Sequence, residues 1–88
     1  MLELIYSSQF KKDLKKAKKQ GKDLDLLRKI LLMIANGETL DLKYRDHDLG
    51  GNLKGYRECH VNPDWLLIYK VLGIELRLAR LGSHSDLF

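Results

Sequence analysis

Three strand-patterned segments in the C-terminal half of the chain constrain the fold most strongly. The segment 65–72 is rich in aromatic and branched side chains, and the segment 74–81 alternates apolar with polar residues; both patterns favour strands, and residues 53–60 are predicted to form the strand before them. Pro63, followed by an aspartate, and Gly73 lie between them at positions typical of turns. The sequence therefore predicts a three-stranded antiparallel meander with the segment 65–72 as its buried central strand.

The N-terminal half predicts a short strand followed by two helices. Residues 2–6 favour a strand, and the serines after them can cap a helix that ends near Gly21. Asp23 can cap a second helix, whose apolar residues recur at helical spacing up to Gly37. The predicted fold class is α+β, in the order β-α-α-β-β-β. A helical hairpin packs on a small, mostly antiparallel sheet in a single domain, residues 1–88.

Several features indicate a cytoplasmic protein with no membrane segment. The single cysteine, Cys59, cannot form an internal disulfide, which fits a reducing compartment. The N-terminus lacks the pattern of a secretory signal. The longest apolar runs, such as residues 30–35, are far shorter than the roughly 18 residues that span a bilayer.

The polar segment 38–52 has no sustained period, and we expect a long, ordered and functional loop there.

Positive charge is concentrated in the first predicted helix. Between Lys11 and Lys22 there are seven lysines and one acid, Asp13, within a chain whose net charge is +4. Such a one-signed surface indicates an anionic partner, such as nucleic acid or an acidic protein. The alternative is a solvated helix face that only keeps the protein soluble.

The chain contains only three histidines, His47, His60 and His84, and all lie outside the predicted helices. Together with Asp64 they could converge on one rim of the sheet. Each alone could also be a surface or structural residue. A zinc-like site is an alternative, but the histidine spacings of 13 and 24 residues match no compact ligand motif. A serine hydrolase is disfavoured because no nucleophile-elbow pattern is present.

Metal-free RNA cleavage suits these residue types better. The ribose 2′-OH can attack its own phosphate, so the substrate brings the nucleophile. Histidine can act as acid or base near neutral pH, and arginine offers a planar fork to phosphate oxygens. Aromatic side chains can stack on exposed bases.

The segments YRDHDLGGNLKGYRECHVNPDWLLIYK and RLGSHSDLF resemble the YafQ branch of the RelE superfamily of bacterial toxins. The resemblance implies a RelE-like fold and a toxin of a type II toxin–antitoxin system. Such toxins are ribosome-dependent endoribonucleases that cut mRNA in the A site, leaving a 2′,3′-cyclic phosphate and a 5′-OH. It also implies no metal and no cofactor. The implied partners are the ribosome, mRNA and an acidic, DNA-binding antitoxin similar to DinJ or RelB.

The resemblance also assigns residues. The implied catalytic set is His47, His60, Asp64, His84, Arg80 and Phe88. The expected general base is His47 or His60 and the general acid is His84, while Arg80 stabilises the phosphorane and Asp64 orients a histidine. The expected RNA- or ribosome-binding set is Lys11, Lys12, Lys15, Lys16, Lys18, Lys19, Lys54, Arg57 and Trp65. Glu58 stands where some members carry aspartate, and no role is assigned to it. The alternatives are a ribosome-independent RNase and a non-catalytic, ParE-like toxin or binding module.

Overall fold

A five-stranded sheet with three helices forms the fold of the protein. The structure, a computed structural model, describes residues 1–88. In chain order the elements are β1 (Glu3–Tyr6), α1 (Ser8–Lys19), α2 (Leu24–Ala35), β2 (His47–Asp48), β3 (Arg57–Asn62), β4 (Trp65–Leu72), β5 (Glu75–Gly82) and α3 (His84–Leu87). The strand order is β1-β5-β4-β3-β2; β1 pairs parallel with β5, and all other pairs are antiparallel. The predicted α+β class and the mostly antiparallel sheet are confirmed.

The helices of the hairpin begin at the residues that the sequence indicated. The Ser7 hydroxyl accepts from the Phe10 amide at 2.9 Å and donates to the Ala79 carbonyl at 2.9 Å. It thereby caps α1 and ties its start to β5. The Asp23 carboxylate caps α2 by accepting from the Leu26 amide at 3.0 Å.

The structure differs from the sequence-based prediction in three places: the start of one strand and two short elements that were not predicted. β3 begins at Arg57, because residues 51–53 form a short 3-10 turn and Gly55 takes a positive φ that a strand does not allow. The predicted loop contains β2, which is too short to have a sequence period and which pairs with β3. The predicted tail contains α3, which starts with a reciprocal capping box between Ser83 and Asp86.

The hydrophobic core lies between the helical hairpin and one face of the sheet. Phe10 and Ile30 from the helices and Leu67 and Leu76 from the sheet are all fully buried. Cys59 is buried there too, and burial raises the pKa of its thiol to about 12. The thiol is therefore protonated and unreactive at neutral pH. None of the helices has the length and apolar character needed to cross a bilayer.

Asp13 is the one buried acid of the lysine-rich helix α1. Its carboxylate accepts from the Leu81 amide at 2.9 Å and from Arg80 Nε at 2.9 Å. β1 pairs with β5 only as far as Leu78, so the Leu81 amide has no strand partner on that side. Asp13 supplies the missing acceptor and fixes α1 against the end of β5. Burial raises the pKa of Asp13, but the hydrogen bonds from Arg80, Leu81 and Gln9 outweigh it, and the net pKa lies below its ordinary value.

We expect Asp13→Asn to lower the free energy of unfolding by about 2–3 kcal/mol near pH 6, because a charged acceptor of one buried amide and one partly exposed guanidinium is lost. The pKa of Asp13 is depressed in the folded state, so its contribution is complete above the unfolded value of about 3.9. That contribution disappears as the pH falls through the folded pKa. Urea unfolding of both proteins between pH 6 and pH 3 measures the difference. A difference that stays constant with pH would contradict this role for the Asp13 charge.

Candidate active site

Three of the sequence-predicted site residues, His47, His60 and Arg80, lie on the sheet face opposite the core. Residues paired across neighbouring strands point to the same face, and two such rows cross the sheet. The rows are Glu58–Ile68–Arg80 and His60–Leu66–Gly82. Leu66 and Ile68 are both buried but lie outside the main core cluster. They form an apolar floor between polar residues of β3 and β5.

A buried carboxylate lies between two of the three histidines. His47 pairs with Glu58 across β2 and β3, and His60 lies two residues further along β3, on the same face. Glu58 Oε1 is 3.6 Å from His47 Nε2 and 3.5 Å from His60 Nε2. Glu58 is only 6% exposed. Glu58 therefore belongs to the candidate site. The sequence signal was its position two residues before His60, which places both side chains on the same face of a strand.

The other ring nitrogen of each histidine faces a backbone carbonyl. His47 Nδ1 lies 2.6 Å from the Arg45 carbonyl oxygen, and His60 Nδ1 lies 3.4 Å from that of Pro63. A carbonyl oxygen only accepts, so Nδ1 carries the hydrogen in both rings. Both Nε2 atoms therefore face Glu58 and are the atoms available for proton exchange.

Asp46 clamps the loop that carries His47 onto the sheet. Its carboxylate accepts from the Tyr69 hydroxyl and from Arg57, with Arg57 Nε at 3.3 Å and Nη2 at 3.2 Å. Arg57 Nη1 also donates to Asp48 at 2.6 Å. The hydrogen bond to Asp46 raises the pKa of Arg57, and burial followed by the hydrogen bond to Asp46 raises the pKa of Tyr69. Arg57 is thus paired with the two residues that flank His47.

Asp64, His84 and Phe88 form a second group at the end of β5. The His84 amide donates to Asp64 Oδ1 at 3.2 Å, and the His84 and Phe88 ring centroids are 5.2 Å apart. Asp64 thus contacts the main chain at the start of α3, where free N–H groups need acceptors, and not a histidine ring as expected. A Cβ on Gly82 would lie 3.1 Å from the Asp86 Cβ, so α3 packs closely over the end of β5.

The two groups are joined through the turn between β3 and β4. His60 faces the carbonyl of Pro63, and the next residue, Asp64, holds α3. His84 forms no hydrogen bond with either of the other histidines. The structure therefore brings His47, Glu58 and His60 into direct contact and places His84 with Phe88 at the other end of the same turn.

The remaining predicted residues differ in their freedom to bind a ligand. Arg80 is 35% exposed and directs Nε and Nη2 to Asp13, which leaves Nη1 without a partner. Trp65 is 2% exposed, so it presents no ring face to a base and belongs to the core. Lys16 is paired with Asp86 at 3.3 Å. The other predicted lysines are exposed and have no acidic partner: Lys11, Lys12, Lys15, Lys18, Lys19 and Lys54. No group of three or more histidine, cysteine or acidic side chains is arranged to hold a metal ion.

Comparison with known proteins gives consistent matches over the whole chain. A family model described as "Bacterial toxin of type II toxin-antitoxin system, YafQ" matches residues 2–88. The "mRNA interferase toxin YafQ" of Escherichia coli K12 is 46% identical over 87 residues, which is 98% of this chain and 95% of that protein. Among solved structures, a copper-bound mutant toxin from Helicobacter pylori has a TM-score of 0.97 at 44% identity, with complete coverage of both chains. A chain of the E. coli DinJ–YafQ complex has a TM-score of 0.90 at 44% identity, covering 100% of this chain and 99% of that one.

We expect Asp46→Asn and Arg57→Gln to loosen β2 in the same way, because each removes one half of the clamp beside His47. Hydrogen exchange at the amides of residues 46–48 should rise at least tenfold in either variant, with little change in α2. The double variant should be less mobile than the sum of the two single effects, since the Asp46–Arg57 contact is common to both substitutions. Additive effects in the double variant would show that Arg57 and Asp46 act independently.

Proposed function

The chain belongs to the YafQ family of bacterial type II toxin–antitoxin toxins, and on that premise we propose that it is a ribosome-dependent endoribonuclease that cuts mRNA without a metal. The observation that carries the proposal is the pair of histidines held around Glu58, with a third histidine on α3 at the other end of the turn between β3 and β4. The family relative named an mRNA interferase supports cleavage of mRNA. The ribosomal A site is the proposed place of cleavage.

The first chemical step needs a base for the ribose 2′-OH. His47 and His60 both have Nδ1 directed to a carbonyl and Nε2 directed into the site. Either Nε2 can take the proton of the 2′-OH, and Glu58 stabilises the imidazolium that forms. A second histidine beside the same carboxylate gives that proton an adjacent acceptor.

The second step needs charge stabilisation and an acid. Glu58 and Arg80 lie on the same row two strands apart, about 10 Å by strand spacing, which leaves room for a phosphodiester above Ile68. The free Nη1 of Arg80 can bind a phosphorane oxygen, while Asp13 fixes the guanidinium. His84 is the proposed acid for the leaving 5′-oxygen, and the adjacent Phe88 ring can stack on a base. The products would be a 2′,3′-cyclic phosphate and a 5′-OH.

The exposed lysines of α1 are the proposed surface for ribosomal RNA. They carry no acidic partners other than the Asp86 bound to Lys16, so their charge is available to phosphates. The same surface suits an acidic antitoxin, and the DinJ–YafQ complex of E. coli supports a DinJ-like partner for this chain. Cytoplasmic location follows as part of the same proposal, because ribosomes and mRNA are there.

We expect His60→Ala and His84→Ala each to slow mRNA cleavage about 100- to 10,000-fold, the usual contribution of one general base or acid. Single-turnover cleavage of mRNA bound to ribosomes measures the rate, and primer extension locates the cut. An mRNA with a 2′-deoxyribose at the cut position should remain intact, and EDTA should leave the wild-type rate unchanged.

Circular dichroism and binding of the antitoxin serve as the controls for folding in these variants. Full growth arrest by both histidine variants would exclude the catalytic assignment. Loss of wild-type activity in EDTA would contradict metal independence, and equal cleavage of free RNA would contradict ribosome dependence.

We expect a triple Lys11→Glu, Lys15→Glu, Lys18→Glu variant to bind ribosomes at least 100-fold more weakly at physiological salt, because several phosphate contacts become repulsive. Sedimentation with ribosomes at several salt concentrations measures the affinity and its salt dependence. An Arg28→Glu, Lys29→Glu variant on the exposed side of α2, which changes the net charge by four units where the triple variant changes it by six, is the control and should bind normally. Equal loss in both variants would show that net charge alone, and not α1, sets the affinity.

A further inference from the structure

A concavity of about 640 Å³ opens beside His60 and is not used in the steps above. Lys43, Arg45 and Asn62 line it together with His60, and no residue of β5 or α3 does. It therefore lies on the His60 side of the site and not on the His84 side. Leu26, Tyr44 and Val61 also line it, so it lies at the edge of β3 between the sheet and α2, where a substrate strand that leaves the His60 side of the site can enter it.

Arg45 is the residue of this concavity with the least ordinary backbone. It has φ 50° and ψ 42°, the left-handed conformation, and no other residue except glycine has a positive φ. An L residue with a Cβ is disfavoured there, and such residues concentrate at functional sites. In this conformation the Arg45 carbonyl oxygen reaches His47 Nδ1 at 2.6 Å. The backbone of Arg45 thus fixes the orientation of a proposed base.

The side chain of Arg45 is also unusual among the arginines near the site. Arg57 and Arg80 are both paired with carboxylates, whereas the guanidinium of Arg45 is exposed and forms neither an ion pair nor a hydrogen bond. Lys43, on the same concavity, has no acidic partner either and lies over the Tyr44 ring. Two unpaired cations beside His60 are suited to a phosphate group.

We propose that Arg45 and Lys43 form a subsite for the phosphate on the 5′ side of the nucleotide that supplies the attacking 2′-OH. The direction follows from the chemistry of the proposed function, on which this inference rests. The general base acts on the ribose of the nucleotide 5′ to the cut, and the general acid acts on the leaving 5′-oxygen of the nucleotide 3′ to the cut. The concavity borders His60, one of the two proposed general bases. It therefore receives the part of the RNA strand on the 5′ side of the cut.

Arg45 then has two separable roles. Its backbone positions His47, and its side chain binds the upstream phosphate. Asparagine tolerates the left-handed conformation, so Arg45→Asn removes the charge while it keeps the turn. Arg45→Lys keeps the charge and loses the planar fork.

The test is single-turnover cleavage of ribosome-bound mRNA that carries one methylphosphonate, which removes the charge of a single phosphate. On unmodified mRNA, Arg45→Asn should lower the rate at limiting protein about tenfold, with the maximal rate changed less than threefold. Arg45→Lys should recover most of the loss. Arg28→Gln, which removes a charge on α2, should have no effect.

The position of the phosphate is found by combining the variant with the modified mRNA. A methylphosphonate at the phosphate immediately upstream should slow the wild-type protein, and Arg45→Asn should add nothing further there. Wild type and variant are each measured on unmodified and on modified mRNA. Contacts of the toxin with ribosomal RNA do not depend on the modification of the mRNA, so they cancel when the rates are compared. The proposal would be overturned if the effects of Arg45→Asn and of the methylphosphonate were additive at every phosphate upstream of the cut. It would also be overturned if the two effects were coupled only at phosphates downstream of the cut.

Two other outcomes are distinguishable. If Arg45→Asn weakens antitoxin binding and leaves cleavage unchanged, the concavity binds protein carboxylates and the RNA subsite is wrong. If the wild-type protein does not cut unmodified mRNA at all, the proposed function fails. Normal cleavage by the wild type with an unchanged Arg45→Asn rate refutes only the subsite.

Discussion

The contact between Asp46 and the pair Arg57 and Tyr69 is the constraint on which the candidate site depends. Residues 36–56 contain little regular structure, and most of this segment is exposed. Its apolar anchors are Leu40 and Tyr44, which precede the site. Asp46 adds a polar anchor directly beside His47, and that anchor keeps β2 in register with β3 so that His47 lies opposite Glu58. Without that register, His47 and His60 would not share one carboxylate.

Carboxylates hold the site together throughout this basic protein. Asp13 fixes Arg80, Asp46 fixes Arg57, Asp64 fixes the start of α3, and Glu58 lies between two histidines. Each acid orients a group that the proposed chemistry needs or supports. The cations left without acids, most lysines of α1 and Arg45, face outward. The division of charges into inward pairs and outward single cations fits a protein whose proposed ligands are polyanions.

The sequence predicted the parts of the fold that have strong local signals. β4 was predicted with its observed bounds because turn residues enclose a long run of strand-forming residues. The caps Ser7 and Asp23 have side chains whose chemistry determines where a helix begins. β2 and α3 were not predicted, since elements of two and four residues have no period and depend on distant contacts. The partners of Arg57 could not be predicted, because the choice between RNA and a nearby acid depends on the folded loop.

The parallel pair β1–β5 has a consequence for how the protein is made. The Ser7 hydroxyl binds the Ala79 carbonyl across 72 positions of the chain, and Asp13 binds Leu81 across 68. These contacts form only after β5 has left the ribosomal exit tunnel, and such distant pairing slows folding. Arg80 lies in β5, and α3 follows β5 in the chain. A nascent chain whose β5 is still inside the tunnel therefore lacks half of the candidate site. A toxin with this topology acquires its proposed activity only after β5 and α3 have emerged, which gives an antitoxin time to be present first.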